Sequence, residues 1–412
     1  MVQRLSRNAT KIYQISGTTK FEIPKDDVRI ADVFQAVEDA KTRFPVYAWG
    51  LAETSRMAKI GFLLCCFVFL VTLLANNRGC EAEKVGVYEL KRGDLSFKFT
   101  NYGATMLSAI LPDKNGKLAD VVLGFNSLKG YKNDTTYFGA IVGRVANRIG
   151  RARFHLNGNY YQLVNNDGRN MLHGGYKGFS DVIWKVQSHR KDSHVTFTYH
   201  SYDGEQGFPG ELAVSVTYML IEANKLGVKM KAKALNKATP VNLALHTYWN
   251  LGGHDSGDIF SHDIQLFGSK ITPVDDELIP TGEIKPIKGT PYDFLQPRKI
   301  GSRFSELPSG YDINYVLDDT RTDHLKKVAE VHESVSGRKL ELWTNQPGVQ
   351  FYSSNMLGHA EGKGGFIYSN YAGLALETQG FPDSVNHPNF PSQILNPGET
   401  YEHVMLYRFT AN

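Results

Sequence analysis

The chain has 412 residues, with 46 Lys plus Arg against 42 Asp plus Glu, and a net charge of +4 is too slight to mark a nucleic-acid partner. Its 42% hydrophobic and 21% charged residues, with 39 glycines, exclude a wholly disordered, collagenous or polytopic membrane chain. Cys65, Cys66 and Cys80 are the only cysteines, so no disulfide scaffold, thiol nucleophile or cysteine zinc site exists beyond them. Chemistry in the main body must come from oxygen and imidazole side chains.

Residues 1–56 contain KFEIPKDDVRIADVFQAVEDAKTRFPVYAWGLAETS, which resembles the C-terminal cytosolic segment of plant ABC transporters of the A subfamily. It has no Gly-x-x-x-x-Gly-Lys-Ser/Thr loop, so ATP hydrolysis is not implied. The resemblance stops at Arg56. Ile60–Ala75 is then a 16-residue run without a charge, preceded by Met57 and Lys59 and followed by Cys80-Glu81-Ala82, a small-x-small pattern. That length lies between a signal-peptide core and a comfortable membrane span. Residues 57–82 are therefore expected to be a signal peptide or membrane anchor, with a buried core helix as the alternative. Synthesis from Met57 implies cleavage and the secretory pathway or extracellular space. Synthesis from Met1 implies a single-pass anchor, with membrane association through residues 60–75. On this reading residues 1–56 are a joined segment foreign to residues 57–412.

Residues 83–412 read as one all-β domain. Val85, Val87 and Leu90 lead into Arg92-Gly93-Asp94, and Leu95, Phe97 and Phe99 alternate after it. Phe154 and Leu156, then Asn157-Gly158, then Tyr161 and Leu163 predict a hairpin, because Asn-Gly supplies the positive φ angles of a type I′ turn. Val195-Phe197-Tyr199, Val214-Val216-Tyr218 and Leu226-Val228-Met230-Ala232 alternate in the same way. Strands at short spacing without intervening helices predict a large antiparallel β-sandwich or barrel.

Four polar clusters interrupt the strands. Gly143-Arg144-Val145-Ala146-Asn147-Arg148-Ile149 predicts a partly buried hydrogen-bonding cluster. Asn170-Met171-Leu172-His173-Gly174-Gly175 is either a close backbone approach or a plain turn. Val241–Leu251, read as a strand, places Ala244, His246 and Tyr248 on one face and Leu243, Leu245 and Thr247 on the other. Trp249 then lies on the core side, although stacking on a sugar is the alternative. In Ala372–Gly380, Gly373, Ala375 and Glu377 share a face with an open floor while Leu374 and Leu376 point inward. Glu377 is expensive to bury, so it is either functional or an ordinary edge-strand charge.

Together these clusters, with GFSDVIW at 178–184, GYDINYVL at 310–317, PGVQFYSSN at 347–355 and LALETQGFPDSVNHPNFP at 374–391, closely resemble the aldose 1-epimerase (galactose mutarotase) family across residues 83–412. The resemblance implies a galactose mutarotase-like antiparallel supersandwich, no cofactor and an aldose as small-molecule substrate; a monomer is favoured over an oligomer, which the sequence itself does not specify. It assigns Glu377 as general base and His246 as general acid, and Asn147, Arg148, His173, Tyr248, Asp312 and Gln350 as sugar-binding residues. Leu245 stands where many relatives have a polar residue, changing packing more than catalysis; Ile313 stands where many animal members have His, and the retained Asp312 and Asn314 keep the sugar contact. Anomer interconversion needs one group to take the anomeric hydroxyl proton and another to protonate the ring oxygen. Each charge of the pair is expected to hold the other in its working state.

Three other functions fit parts of this pattern. A hexose-6-phosphate 1-epimerase would need basic residues, for which Arg144, Arg148 and Arg151 are the candidates. A non-catalytic sugar-binding protein would need neither Glu377 nor His246, and a glycoside hydrolase would have to pair Asp312 with Glu377. No metal site is expected, because His173 and His246 belong to no His-x-x-x-His or His-Glu-x-x-His pattern. Asn8 and Asn133 open glycosylation sequons.

Overall fold

The computed structural model describes residues 83–412 except 133, 308 and 320, together with the backbone of Lys11–Gln14 and Lys20–Ile23, which pair as a short antiparallel ladder. The remainder of residues 1–56, the apolar run 60–75 and the sequon residues Asn8 and Asn133 lie outside the described residues. Among the described residues no helix is long and apolar enough to cross a membrane.

Alternation and turn chemistry build the sheets as expected. Val87–Arg92 and Leu95–Thr100 pair across Gly93-Asp94, with Gly93 at φ 59°. Arg153–Leu156 and Asn159–Gln162 pair across Asn157 and Gly158, at φ 50° and 78°. Both positive angles match the handed twist that a two-residue turn needs.

Two large sheets face each other. A nine-stranded antiparallel sheet runs from Lys185–Arg190 through the long strands Leu212–Glu222, Lys225–Ala234 and Thr400–Ala411 to Arg298–Lys299. A six-stranded sheet has the spatial order Tyr248–Trp249, Leu374–Gln379, Gly348–Tyr352, Asp312–Val316, Lys270–Thr272, Lys285–Pro286. Between them lies the main core, to which the six-stranded sheet contributes Trp249, Ile271, Ile313, Tyr315, Val349, Phe351, Leu374 and Leu376. Phe197, Val216, Val228, Met230, Leu342 and Tyr407 meet them from the nine-stranded sheet. Trp249 packs at 5.4 Å from Tyr407 and 5.7 Å from Phe409, so its ring belongs to the core rather than to a sugar platform. Leu245 and Ile313 are buried in the same core.

Period two then places the alternate neighbours of these core residues on the opposite face of the six-stranded sheet. That face carries the polar residues.

One expectation needs correction. Val241–Leu251 is not one strand but two, Ala244–Leu245 and Tyr248–Trp249. Ala244 and Leu245 pair with Val142 and Ile141, whereas Tyr248 and Trp249 pair with Ala375 and Leu374. Between them His246 donates its N–H to Ala140 O at 2.9 Å and its carbonyl accepts from the Gly139 N–H at 2.9 Å. The segment thus changes partners at His246 while keeping the face of each side chain.

Candidate active site

The sheet register assembles the site. Thr272 pairs with Asn314, Asn314 with Gln350, and Gln350 with Glu377. These four side chains form one cross-strand row on the face away from the core. Asp312, Tyr352, Ala375 and Tyr248 form the adjacent row. Neighbouring strands lie about 4.8 Å apart, so such rows bring distant sequence segments within side-chain reach. Glu377 is on an interior strand and only 2% exposed, which removes the edge-strand alternative.

Amide side chains tie the rows together. Gln350 Nε2 donates to Asp312 Oδ1 at 2.6 Å, and Gln379 Nε2 donates to Asn314 Oδ1 at 3.3 Å and Gln350 Oε1 at 3.4 Å. Asn147, Arg148, Thr272, Asp312, Asn314 and Gln350 line a common cleft, with Val274, Leu278 and Pro382 as its apolar wall.

The loops supply the remaining groups. Arg148–Ile149 pairs with Met171–Leu172, which carries the chain directly to His173. Asn147 donates its N–H to His173 Nδ1 at 3.2 Å, and His173 returns its own N–H to Asn147 O at 3.0 Å. The ring proton of neutral His173 is consequently on Nε2. Gly174, at φ 87°, explains the glycine after the histidine: a Cβ there would lie 2.0 Å from Gly143 O. The motif is a close backbone approach, not a plain turn. Asp383 secures the Arg148 backbone by donating its N–H to Arg148 O at 3.1 Å and accepting the Gly150 N–H at 3.0 Å.

His246 Nε2 lies 3.5 Å from Glu377 Oε1. His246 Nδ1 and Glu377 Oε2 are buried with no hydrogen-bond partner among the described residues. Rings crowd the imidazole: Tyr248 at 5.0 Å, His173 at 5.1 Å, Tyr137 at 5.9 Å and Tyr352 at 6.5 Å between centroids. This enclosure sets the electrostatics. Burial holds His246 down at about 4 and pushes Glu377 well above the usual carboxylate range, with Asp312 adding to the rise and Arg148 opposing it. His173 is held well below its ordinary value by burial, then by His246 and Arg148. Asp312 is raised by burial, against Arg148 and the Gln350 hydrogen bond. The expectation that opposite charges hold Glu377 and His246 ionised is therefore corrected: desolvation dominates and favours the neutral pair.

Tyr248 sits beside His246, but its hydroxyl donates to Thr136 O at 2.9 Å and its ring packs in a satellite apolar cluster. Its free role is thus ring packing and hydrogen-bond acceptance. Sequence reasoning missed Tyr137, Tyr352, Thr272 and Gln379. Thr272 and Gln379 announce themselves only through register, and Tyr137 only through its ring contacts with His173 at 4.7 Å and His246 at 5.9 Å.

The three arginines do not converge into a phosphate site. Arg144 is 2% exposed and donates to Pro209 O, Gly210 O, Thr239 and Ser201, which hold it in the fold interior. Arg151 is exposed, and Arg148 alone of the three lines the cleft. Ligand atoms of His173, His246 and Glu377 lie within 4.8 Å of one another, the arrangement among the described residues nearest to a cation site. Asn147 already occupies His173 Nδ1, so that set offers a cation one imidazole nitrogen fewer.

The family model for aldose 1-epimerase matches residues 86–408, and that for the ABCA12-like C-terminal domain matches residues 1–34. The chain is 43% identical to galactose mutarotase of Rattus norvegicus over 325 residues, covering 78% of this chain and 93% of that protein. It is 36% identical to aldose 1-epimerase of Escherichia coli (strain K12) over 318 residues, covering 76% and 91%. The crystal structure of the GalM/aldose epimerase homologue from C. elegans superposes with a TM-score of 0.75 at 29% identity, covering 80% of this chain and all of that one. A sandwich of this topology, a buried carboxylate–imidazole pair above a row of amides, and a match spanning 86–408 have one common explanation: the chain belongs to the aldose 1-epimerase family.

Proposed function

We propose that this chain interconverts the α and β anomers of free hexoses such as glucose and galactose by opening and reclosing the ring. The observation that carries the reading is the Glu377–His246 pair, 3.5 Å apart, buried and flanked by the polar row. Glu377 takes the proton of the anomeric hydroxyl as the C1–O1 bond becomes a carbonyl. The C1–O5 bond breaks, and O5 takes a proton from His246. The open aldehyde turns about C1–C2, and closure on its other face returns both protons. Protons and electrons balance without redox change.

Arg148 has two tasks in this scheme. Its charge draws Glu377 back toward the carboxylate that the first step needs. Its guanidinium, with Asn147, Asp312 and Gln350, holds hydroxyls that do not react, so the sugar stays placed while its ring is open. His173 adds an N–H donor. Polarimetry with α-glucose and α-galactose tests the reading, and decay no faster than in buffer alone sinks it.

For targeting, the uncharged run 60–75 supports a signal or anchor role for residues 57–82, ahead of a catalytic unit at 83–412 and after a foreign segment at 1–56. A fluorescent fusion begun at Met57 that stays uniformly cytosolic counts against the signal. Peptides joining residues 1–56 to the catalytic unit in the mature protein count against the foreign segment.

A further inference from the structure

Arg148 is a long cation at the edge of a cleft, and something must decide where its head points. Its Nε donates to Asp167 Oδ2 at 2.7 Å, with the arginine side chain 10% exposed and the aspartate 35%. That contact uses the inner nitrogen of the fork and leaves both terminal nitrogens for the cleft that Arg148 lines.

Asp167 is itself anchored. It exchanges backbone hydrogen bonds with Asn170, at 3.1 and 2.8 Å, across Gly168 and Arg169, with Gly168 at φ 58°. Asn170 is 3% exposed; its Oδ1 accepts the Arg151 N–H at 2.8 Å and its Nδ2 donates to Glu277 at 2.9 Å. Two residues later Leu172 pairs with Arg148 itself. The turn is an arm that leaves Arg148's ladder, fixes a carboxylate and returns that carboxylate to Arg148's side chain.

We propose that Asp167 is a positioning residue for the anomer interconversion, holding the Arg148 guanidinium by Nε so that its terminal nitrogens meet the sugar hydroxyls. The inference rests on the sugar-binding role proposed for Arg148. An unheld arginine carries rotamer entropy that the sugar must remove on binding. That cost falls on ground and transition states alike, so it belongs in KM rather than kcat. Solvent at the partly exposed carboxylate keeps the effect modest.

The test is steady-state polarimetry on the full chain. Asp167→Asn, which keeps the shape and removes the charge, is expected to raise KM about 5- to 10-fold with kcat within about twofold. Its melting temperature should fall only slightly, because the Asn amide oxygen can still accept from Nε, and Asp167→Glu should recover most of the lost affinity. In Arg148→Ala, which has no guanidinium to hold, adding Asp167→Asn should raise KM no further. Wild-type KM in Asp167→Asn, alongside a raised KM in Arg148→Ala, overturns the positioning role alone. Unchanged KM in Arg148→Ala overturns the sugar-binding role beneath it. A lower kcat and melting temperature in Asp167→Asn at constant KM reduces Asp167 to a folding residue, and also overturns the proposal.

Discussion

Replacing Glu377 by Gln separates catalysis from stability in opposite directions. The amide keeps the shape of a side chain that is 2% exposed, but it cannot take a proton from the anomeric hydroxyl. General bases contribute about 10²–10⁴-fold, and no substitute stands ready. The nearby cleft carboxylate, Asp312, is engaged by Gln350 and lies one residue row away. Turnover should therefore fall by about 10²-fold or more, with sugar binding still measurable.

Stability should move the other way. Glu377 has a folded pKa raised above its ordinary value, so its contribution to stability is complete below about pH 4.5 and declines as pH rises toward the folded value. Gln does not titrate. The melting temperature of Glu377→Gln relative to the parent should accordingly climb as pH increases from about 4.5 to about 7. Polarimetry, corrected for spontaneous mutarotation, and thermal melting across pH read both effects. Near wild-type turnover would refute the general-base role. A variant less stable relative to the parent at the upper end of that pH range than at the lower would refute the burial argument.

His246→Asn should be comparably damaging to turnover in the same assay, since the amide cannot protonate the ring oxygen. The pair shares one proton in its active form, so the rate should form a bell against pH, with an acid limb near 4, where His246 gains a second proton, and an alkaline limb set by Glu377. An acid limb above about pH 6 contradicts the burial of His246. Neutral, buried His262 and His403 are likewise held down, at about 4 and about 3, so with His246 they should make stability fall as pH drops from 6.5 toward 4, by up to about 1.4 kcal/mol per pH unit for each group. Denaturant melts at several pH values read that slope, and a flat profile rejects it. Arg144→Ala should destabilise the fold by about 3–5 kcal/mol, because Glu205, joined to Arg144 through Ser201, is left in the interior without its cation. A loss under about 1 kcal/mol in urea titration shows that network to be dispensable.

How far the sequence is legible depends on range. Alternation is local, so the core side of Leu374, Leu376 and Trp249 is readable without coordinates, as is the Asn157-Gly158 turn. Pairing is not local. Nothing in Val241–Leu251 announces that its first half joins Ile141–Val142 and its second half Leu374–Ala375, so an unbroken strand is the natural reading. The same blindness hides the Thr272–Asn314–Gln350–Glu377 row, whose members come from four separated strands. Glu377 and His246 are named through family resemblance, since no spacing rule joins positions so far apart.

The least legible property is the charge state of the pair. Two opposite charges at 3.5 Å invite the assumption of a stable ion pair, and residue types alone support it. The enclosing rings of Tyr137, Tyr248, Tyr352 and His173 reverse that, because each displaces water that would have stabilised the ions. The neutral and ionic forms differ only by one proton crossing between Glu377 and His246, so the enclosure changes where that proton rests without changing how many the pair holds. The Arg148 charge opposes the rise of Glu377 without overcoming it, because burial is the larger cause.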